Sequence, residues 1–148
     1  MTITDRHSVS VAGAAINDQG EVLAIRRRDN GRWEPAGGIL DLGEALRDGV
    51  RREVLEETGL QVEPDALTGV YQNIPRSIVA FVFRCYVIGG HLHPTTEATD
   101  VAWLTAGEIA DRMHEAYAVR LLDALSWTPG DQPVLRVHDG VHVLPAKS

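Results

Sequence analysis

Cysteine is almost missing from this chain: Cys85 is the single one among 148 residues, so no intrachain disulfide can form. That fits a reducing compartment, and a cytoplasmic location is the expectation. Cys85 lies in an apolar run, where a thiol is expected to be core. Positive charge is also short. Lys and Arg number 14 against 21 Asp and Glu, a formal net charge of −7. A chain this acidic is a poor electrostatic partner for DNA, RNA or an anionic membrane. A small anionic ligand stays open to it wherever arginines or a cation supply local positive charge. Met1 to Ile16 lacks a basic region followed by a long apolar run, so neither a signal peptide nor a transmembrane helix is expected. Repeats and low-complexity segments are absent too. The length and a hydrophobic content of 44% suit one domain, 1–148, with a proper core.

What is present reads as alternating strands and helices. Ser8–Asn17 and Glu21–Arg27 read as strands around the turn Asp18-Gln19-Gly20. Glu44–Thr58 is rich in helix formers and is followed by Gly59, where a left-handed cap is expected. Gln61–Asn73 reads as a strand interrupted near Pro64, Ser77–Ile88 as the strongest strand, and Thr99–Leu104 as a short one. Ala106–Met113 and Glu115–Ser126 read as helices. Val134–Leu144 carries Asp139-Gly140 between alternating valines, a hairpin signal at the periphery or at a dimer contact. Strands then helix, twice over, predicts an α/β fold with a mixed sheet between helices.

One stretch concentrates chemistry. Gly38, Glu44 and Arg52-Glu53-Val54-Leu55-Glu56-Glu57-Thr58-Gly59-Leu60 stand in a fixed register. At average residue usage that register arises by accident in well under roughly one chain in a million of this size. On a helix Glu53, Glu56 and Glu57 share an arc of about 100°. Carboxylates so crowded repel one another, and partial burial adds a desolvation cost. A divalent cation removes both penalties, because carboxylate oxygens are the ligands Mg²⁺ prefers, and Mg²⁺ completes its shell with water and phosphate oxygens. Adjacent phosphates are thus the expected substrate feature. Arg52, in the middle of the acids, is expected to orient a carboxylate, Glu53 first.

The stretch from Gly38 to Leu60 resembles the signature of the Nudix hydrolases at every defining position. The lead-in Trp33-Glu34-Pro35-Ala36-Gly37-Gly38 is similar to the family's tryptophan, proline and Gly-Gly, except that Ala36 stands where proline is common. The resemblance spans roughly Ser8 to Leu125. It implies a Nudix-type α/β/α sandwich and Mg²⁺-dependent cleavage of a pyrophosphate bond, with Mn²⁺ able to substitute. The implied metal ligands are Glu53, Glu56, Glu57 and the main-chain carbonyl of Gly37. Glu53 is the candidate general base inside the motif; Glu97 and Asp100 are the candidates outside it. Arg27 matches an arginine that contacts phosphate, with Gly38 beside the substrate. Trp33 is expected in the core rather than stacked on a base. A homodimer is the family habit.

The substrate implied is a small nucleotide. Pro75 and the run Tyr71-Gln72-Asn73-Ile74-Pro75 resemble the ADP-ribose-cleaving branch, which puts ADP-ribose or a nucleotide sugar slightly ahead of an oxidised nucleoside triphosphate. A non-catalytic ligand sensor on the same fold is the rival, but such modules lack some of the motif acids, and here every one is present. His91 and His93 share strand spacing without a third ligand, so no zinc site is expected.

Overall fold

A computed structural model describes residues 6–145, so the expected span of 1–148 runs past the described residues at both ends. The elements are β1 (Ser8–Ala15), β2 (Val22–Arg27), β3 (Trp33–Ile39), α1 (Leu46–Thr58), β4 (Leu60–Asn73), β5 (Ile78–Gly90), β6 (Ala98–Leu104), α2 (Ala106–Arg112), α3 (Glu115–Ser126) and β7 (Val134–His138). They form one mixed sheet in the order β6-β2-β3-β1-β5-β4-β7. The pairs β1–β5 and β4–β7 are parallel and the others antiparallel. Alternation along the strands splits the core in two, as a period of two requires. Val11, Leu23 and Ile25 meet Val50 and Val54 of α1 in one layer. Ala12, Ala14, Val22 and Ala24 meet Ile109, Leu121 and Ala124 of α2 and α3 in the other.

The expected mixed sheet between helices is therefore present, with differences at the edges. The motif helix begins at Leu46 rather than Glu44, because Gly43 takes a left-handed φ of 79° and breaks the helical path before it. Pro64 does interrupt β4: the register with β5 shifts between Pro64 and Leu67, as a residue without an amide hydrogen dictates. The C-terminal segment does not hang off the domain. Its first arm, β7, extends the main sheet as an edge strand beside β4. Beyond the Asp139-Gly140 turn the return arm is held by a bridge between His138 and Val143 and by the Leu144 amide donating to the Val137 carbonyl (2.8 Å).

A buried polar knot fastens β7 to the domain. Arg136 grips Asp123 of α3 with two hydrogen bonds of 2.8 Å each. The Tyr71 hydroxyl of β4 donates to the same carboxylate at 2.8 Å. Tyr71 is fully buried on the α3 side, which removes it from any direct role with substrate. Burial and the Asp123 charge hold its phenol well above the usual range. Cys85 is core, as expected, and burial pushes its thiol up to about 12. We expect Tyr71→Phe to cost about 1–2 kcal/mol in urea denaturation, the loss of one buried hydrogen bond. An unchanged midpoint would show that the knot does not hold β4, α3 and β7 together.

Candidate active site

The site forms where β3 changes neighbours. Its first half, Trp33–Pro35, pairs with β2, and its second half, Ala36–Ile39, pairs with β1. Helix α1 lies across that second half. Helical geometry then sorts the motif acids, since successive residues turn by about 100°. The buried side of α1 carries Val50 and Val54, both fully buried. Glu57 lies about 40° from Glu53 toward that side, whereas Glu56 lies about 60° away from it. Glu53 and Glu57 are accordingly buried, while the Glu56 side chain is 49% exposed.

Gly38 makes the approach possible. A Cβ there would sit 2.7 Å from the Glu53 carboxyl, so any side chain would expel it. The Gly37 amide donates to Glu57 Oε1 at 2.7 Å. The third acid comes from the loop between β5 and β6. Oxygens of Glu53, Glu57 and Glu97 all lie within 4.8 Å of one another. The loop is tied down at several points. The Thr95 hydroxyl donates to the Glu57 carbonyl (3.2 Å), and the His91 and His93 amides donate to the Gly59 and Thr58 carbonyls (3.2 and 3.0 Å). Arg28 donates to the carbonyls of Thr95 and Thr96 (2.9 and 3.1 Å). Neither Arg28, the last of three successive arginines, nor Thr95, a hydroxyl residue two before an acid, carries a distinctive signal in the sequence.

Arg52 is the cationic hub. Its Nε and Nη2 donate to the two oxygens of Glu44 at 2.7 and 2.9 Å, a fork-on-carboxylate pair. Its Nη1 donates to Glu53 at 2.9 Å and to Glu56 at 3.3 Å. The expected contact with Glu53 is present, and the register of Glu44 eight residues upstream is now explained. Arg52 draws the Glu44 carboxyl down to about 2. Arg27 donates to Asp29 (2.9 and 2.7 Å) and Glu34 (3.3 Å), and it borders a cavity of about 570 Å³ together with Gly37, Gly38, Glu53, Glu57 and Glu97.

The remaining candidates fall elsewhere. Asp100 is exposed on β6 and lies 3.9 Å from Arg26. Glu56 turns to Arg52 and is outside the three-oxygen cluster. Trp33 packs on the core with the Arg112 guanidinium 5.8 Å above its ring. Among the described residues no histidine joins a metal-type cluster.

The cluster is electrostatically unfinished. Burial, then the neighbouring Glu53 and Glu97, push Glu57 up to about 8 despite the Gly37 amide. Burial raises Glu53 as well, against the pull of Arg52. Three hard oxygen donors with too little positive charge fit a divalent cation with oxygen preference.

Comparison with known proteins agrees with this geometry. Residues 6–125 match the family model described as NUDIX domain. A "MutT-like protein" of Streptomyces ambofaciens is 56% identical over 140 residues, covering 95% of this chain and 89% of that one. An "ADP-ribose pyrophosphatase" of Methanocaldococcus jannaschii is 27% identical over 131 residues, 84% of this chain and 77% of that one. Among solved structures, an ADP-ribose pyrophosphatase from Streptococcus suis superposes with a TM-score of 0.75 at 22% identity, covering 88% of this chain and 99% of that one, a likeness of fold.

The pKa of Glu57 makes a stability prediction. Its folded value, about 8, exceeds the ordinary 4.5, so the metal-free folded state holds a proton the unfolded state releases. Stability from this group is complete below about pH 4.5 and is lost as pH rises through about 8. In EDTA, Glu57→Gln should raise Tm by about 10 °C near about pH 8.5 and leave it nearly unchanged near about pH 4. Equal shifts at both pH values would mean that the carboxyl is not strained by burial.

Proposed function

The chain belongs to the Nudix hydrolase superfamily and is a Nudix pyrophosphohydrolase; from that premise we propose that it cleaves, with Mg²⁺, the pyrophosphate bond of a nucleoside diphosphate linked to a second moiety, ADP-ribose or a nucleotide sugar. The observation that carries the reading is the meeting of Glu53, Glu57 and Glu97 within 4.8 Å beside a glycine-lined cavity. Family members use a divalent metal. Mg²⁺, with Mn²⁺ as a substitute, suits carboxylate donors that must also leave room for phosphate oxygens. Glu53, Glu57 and the Gly37 carbonyl would hold the ion, with Glu56 at the rim. The chemistry it supplies when bound is polarisation of a phosphoryl oxygen and acidification of water.

The chain's own groups do the rest. Arg52 fixes the rotamer of Glu53, and Glu44 fixes Arg52. Arg27, at the cavity edge, offers its charge to a phosphate. Among the described residues the Glu97 carboxylate makes no hydrogen bond, whereas Glu53 and Glu57 are each engaged. Its lone pairs are free to take a proton from the attacking water, so Glu97 is the proposed base. The ADP-ribose assignment draws support from the 27% identical relative of that name and from a second cavity adjoining the first, with room for another moiety. Pro75 gives it none of its own, since it sits in an exposed turn.

The test is phosphate release, with phosphatase coupling, from ADP-ribose, nucleotide sugars and nucleoside triphosphates, with and without Mg²⁺. Glu53→Gln should reduce kcat/KM by about a hundredfold or more, and Glu97→Gln should reduce kcat by about a hundredfold while flattening the acidic limb of the pH profile. A wild type and Glu53→Gln that turn over the whole panel alike would remove the enzyme reading. A clear preference for triphosphates would replace the proposed substrate with the alternative.

A further inference from the structure

Among the described residues, Glu97 is the one acid of the cluster whose carboxylate makes no hydrogen bond; Glu53 is gripped by Arg52 and Glu57 by the Gly37 amide. Glu97 is also exposed, yet it stands within 4.8 Å of two other acids. Carboxylates that close repel one another, so an unrestrained loop would swing Glu97 outward into water. The place of its side chain has to come from the main chain.

Arg28 and Thr95 hold that main chain. Arg28, just past the end of β2, reaches three successive carbonyls: its Nη2 donates to Thr95 (2.9 Å), its Nε to Thr96 (3.1 Å) and its own amide to Glu97 (3.0 Å). The planar guanidinium serves two of them at once, which a single ammonium could not reproduce. Thr95 works from the other side. Its hydroxyl donates to the Glu57 carbonyl at 3.2 Å and accepts from the Glu97 and Ala98 amides at 3.3 and 3.2 Å. The Thr95 amide donates to the Ala98 carbonyl at 3.0 Å and closes the turn that carries Glu97. The Glu57 carbonyl is one of the last four of α1, which have no partner inside the helix. One hydroxyl therefore ties the end of the helix that bears Glu53 and Glu57 to the amide of the third acid.

We propose that Arg28 and Thr95 are positioning residues for the reaction: acting through the main chain, they keep the Glu97 carboxylate beside Glu53 and Glu57, where it can take the proton of the attacking water. Neither residue touches the reacting atoms. The inference rests on the reading of Glu97 as the base and extends the working site to two residues outside the motif. Arg28 also borders the carboxylate cavity, so direct contact with a phosphate is the competing role, and that role would appear in KM.

Steady-state kinetics with Mg²⁺ on the best substrate of the panel, and ¹⁵N relaxation of the metal-free protein, test it together. Arg28→Met and Thr95→Val should each lower kcat about tenfold with KM within about twofold of wild type. Thr95→Ser, which keeps the hydroxyl, should stay within about twofold in both constants. In a Glu97→Gln background, Arg28→Met and Thr95→Val should change kcat by less than about twofold, because the carboxylate they act through is gone. The Glu97 and Ala98 amides should have order parameters of about 0.85 in the wild type and below about 0.6 in Arg28→Met. Loss of the same factor in the wild-type and Glu97→Gln backgrounds would overturn the positioning role, and a loss confined to KM would assign Arg28 to phosphate instead. Wild-type kcat in Glu97→Gln would overturn the reading of Glu97 as base and the positioning role with it. A loss of about a hundredfold in Glu97→Gln beside rigid amides and unchanged kcat in Arg28→Met and Thr95→Val would overturn the positioning role alone.

Discussion

Two carboxylates, Glu53 and Glu57, are pressed into the seam between α1 and β3 with a single cation, Arg52, in contact with only one of them. Most local features of the site follow from tolerating that arrangement. Gly38 exists as glycine because the Glu53 carboxyl occupies the place of a side chain. Gly37 gives its amide to Glu57 instead of leaving that oxygen bare. Glu44 occupies most of the Arg52 fork, so Arg52 holds a fixed geometry and offers Glu53 a single donor rather than a bidentate clamp. The residual excess of negative charge is what a hard cation would offset, and a cation held there would stabilise the folded chain over the unfolded one.

The rest of the fold brings the third acid to the same place. Gly59 caps α1 in the left-handed conformation, φ 84°, and turns the chain directly into β4. The same corner receives the strand end that returns from β5, through the His91 and His93 amides on the Gly59 and Thr58 carbonyls. A Cβ at Gly59 would meet the His91 carbonyl at 2.3 Å, so the cap and the loop docking depend on one residue. The motif's final glycine thus does more than end a helix. It holds open the space through which the Glu97 loop approaches the acids.

The sequence is informative where a local period controls geometry. Glu53 and Glu57, four apart on one helix, had to share a face, and Val50 and Val54 had to define which side was buried. The division between Glu57 and Glu56 was implicit in the same arithmetic, because Glu56 lies across the arc from the valines. Long-range choices were illegible. Glu97 and Asp100 are close in sequence, yet one lies in the loop against α1 and the other on β6 beside Arg26. Tyr71 could be a ligand contact or a core residue until the α3 side of β4 was known. Asp139-Gly140 signalled a turn correctly, but nothing local says that the preceding strand would pair in parallel with β4. Arg120 sits in a helix of ordinary amphipathic pattern, and only the packing around it reveals that its Nε has no hydrogen-bond partner among the described residues.

Two cavities with opposite electrostatic character thus adjoin one another along Gly37–Ile39. On one side excess negative charge favours a cation; on the other the Arg120 Nε has no hydrogen-bond partner among the described residues. The two sides are supplied by different parts of the chain. The carboxylates come from α1 and from the loop before β6. Arg120 stands on α3, beside a β7 segment fastened by Arg136 and Asp123. Arg27 of β2 and Gly37 to Ile39 of β3 border both cavities, so a group bound in one is held next to whatever occupies the other.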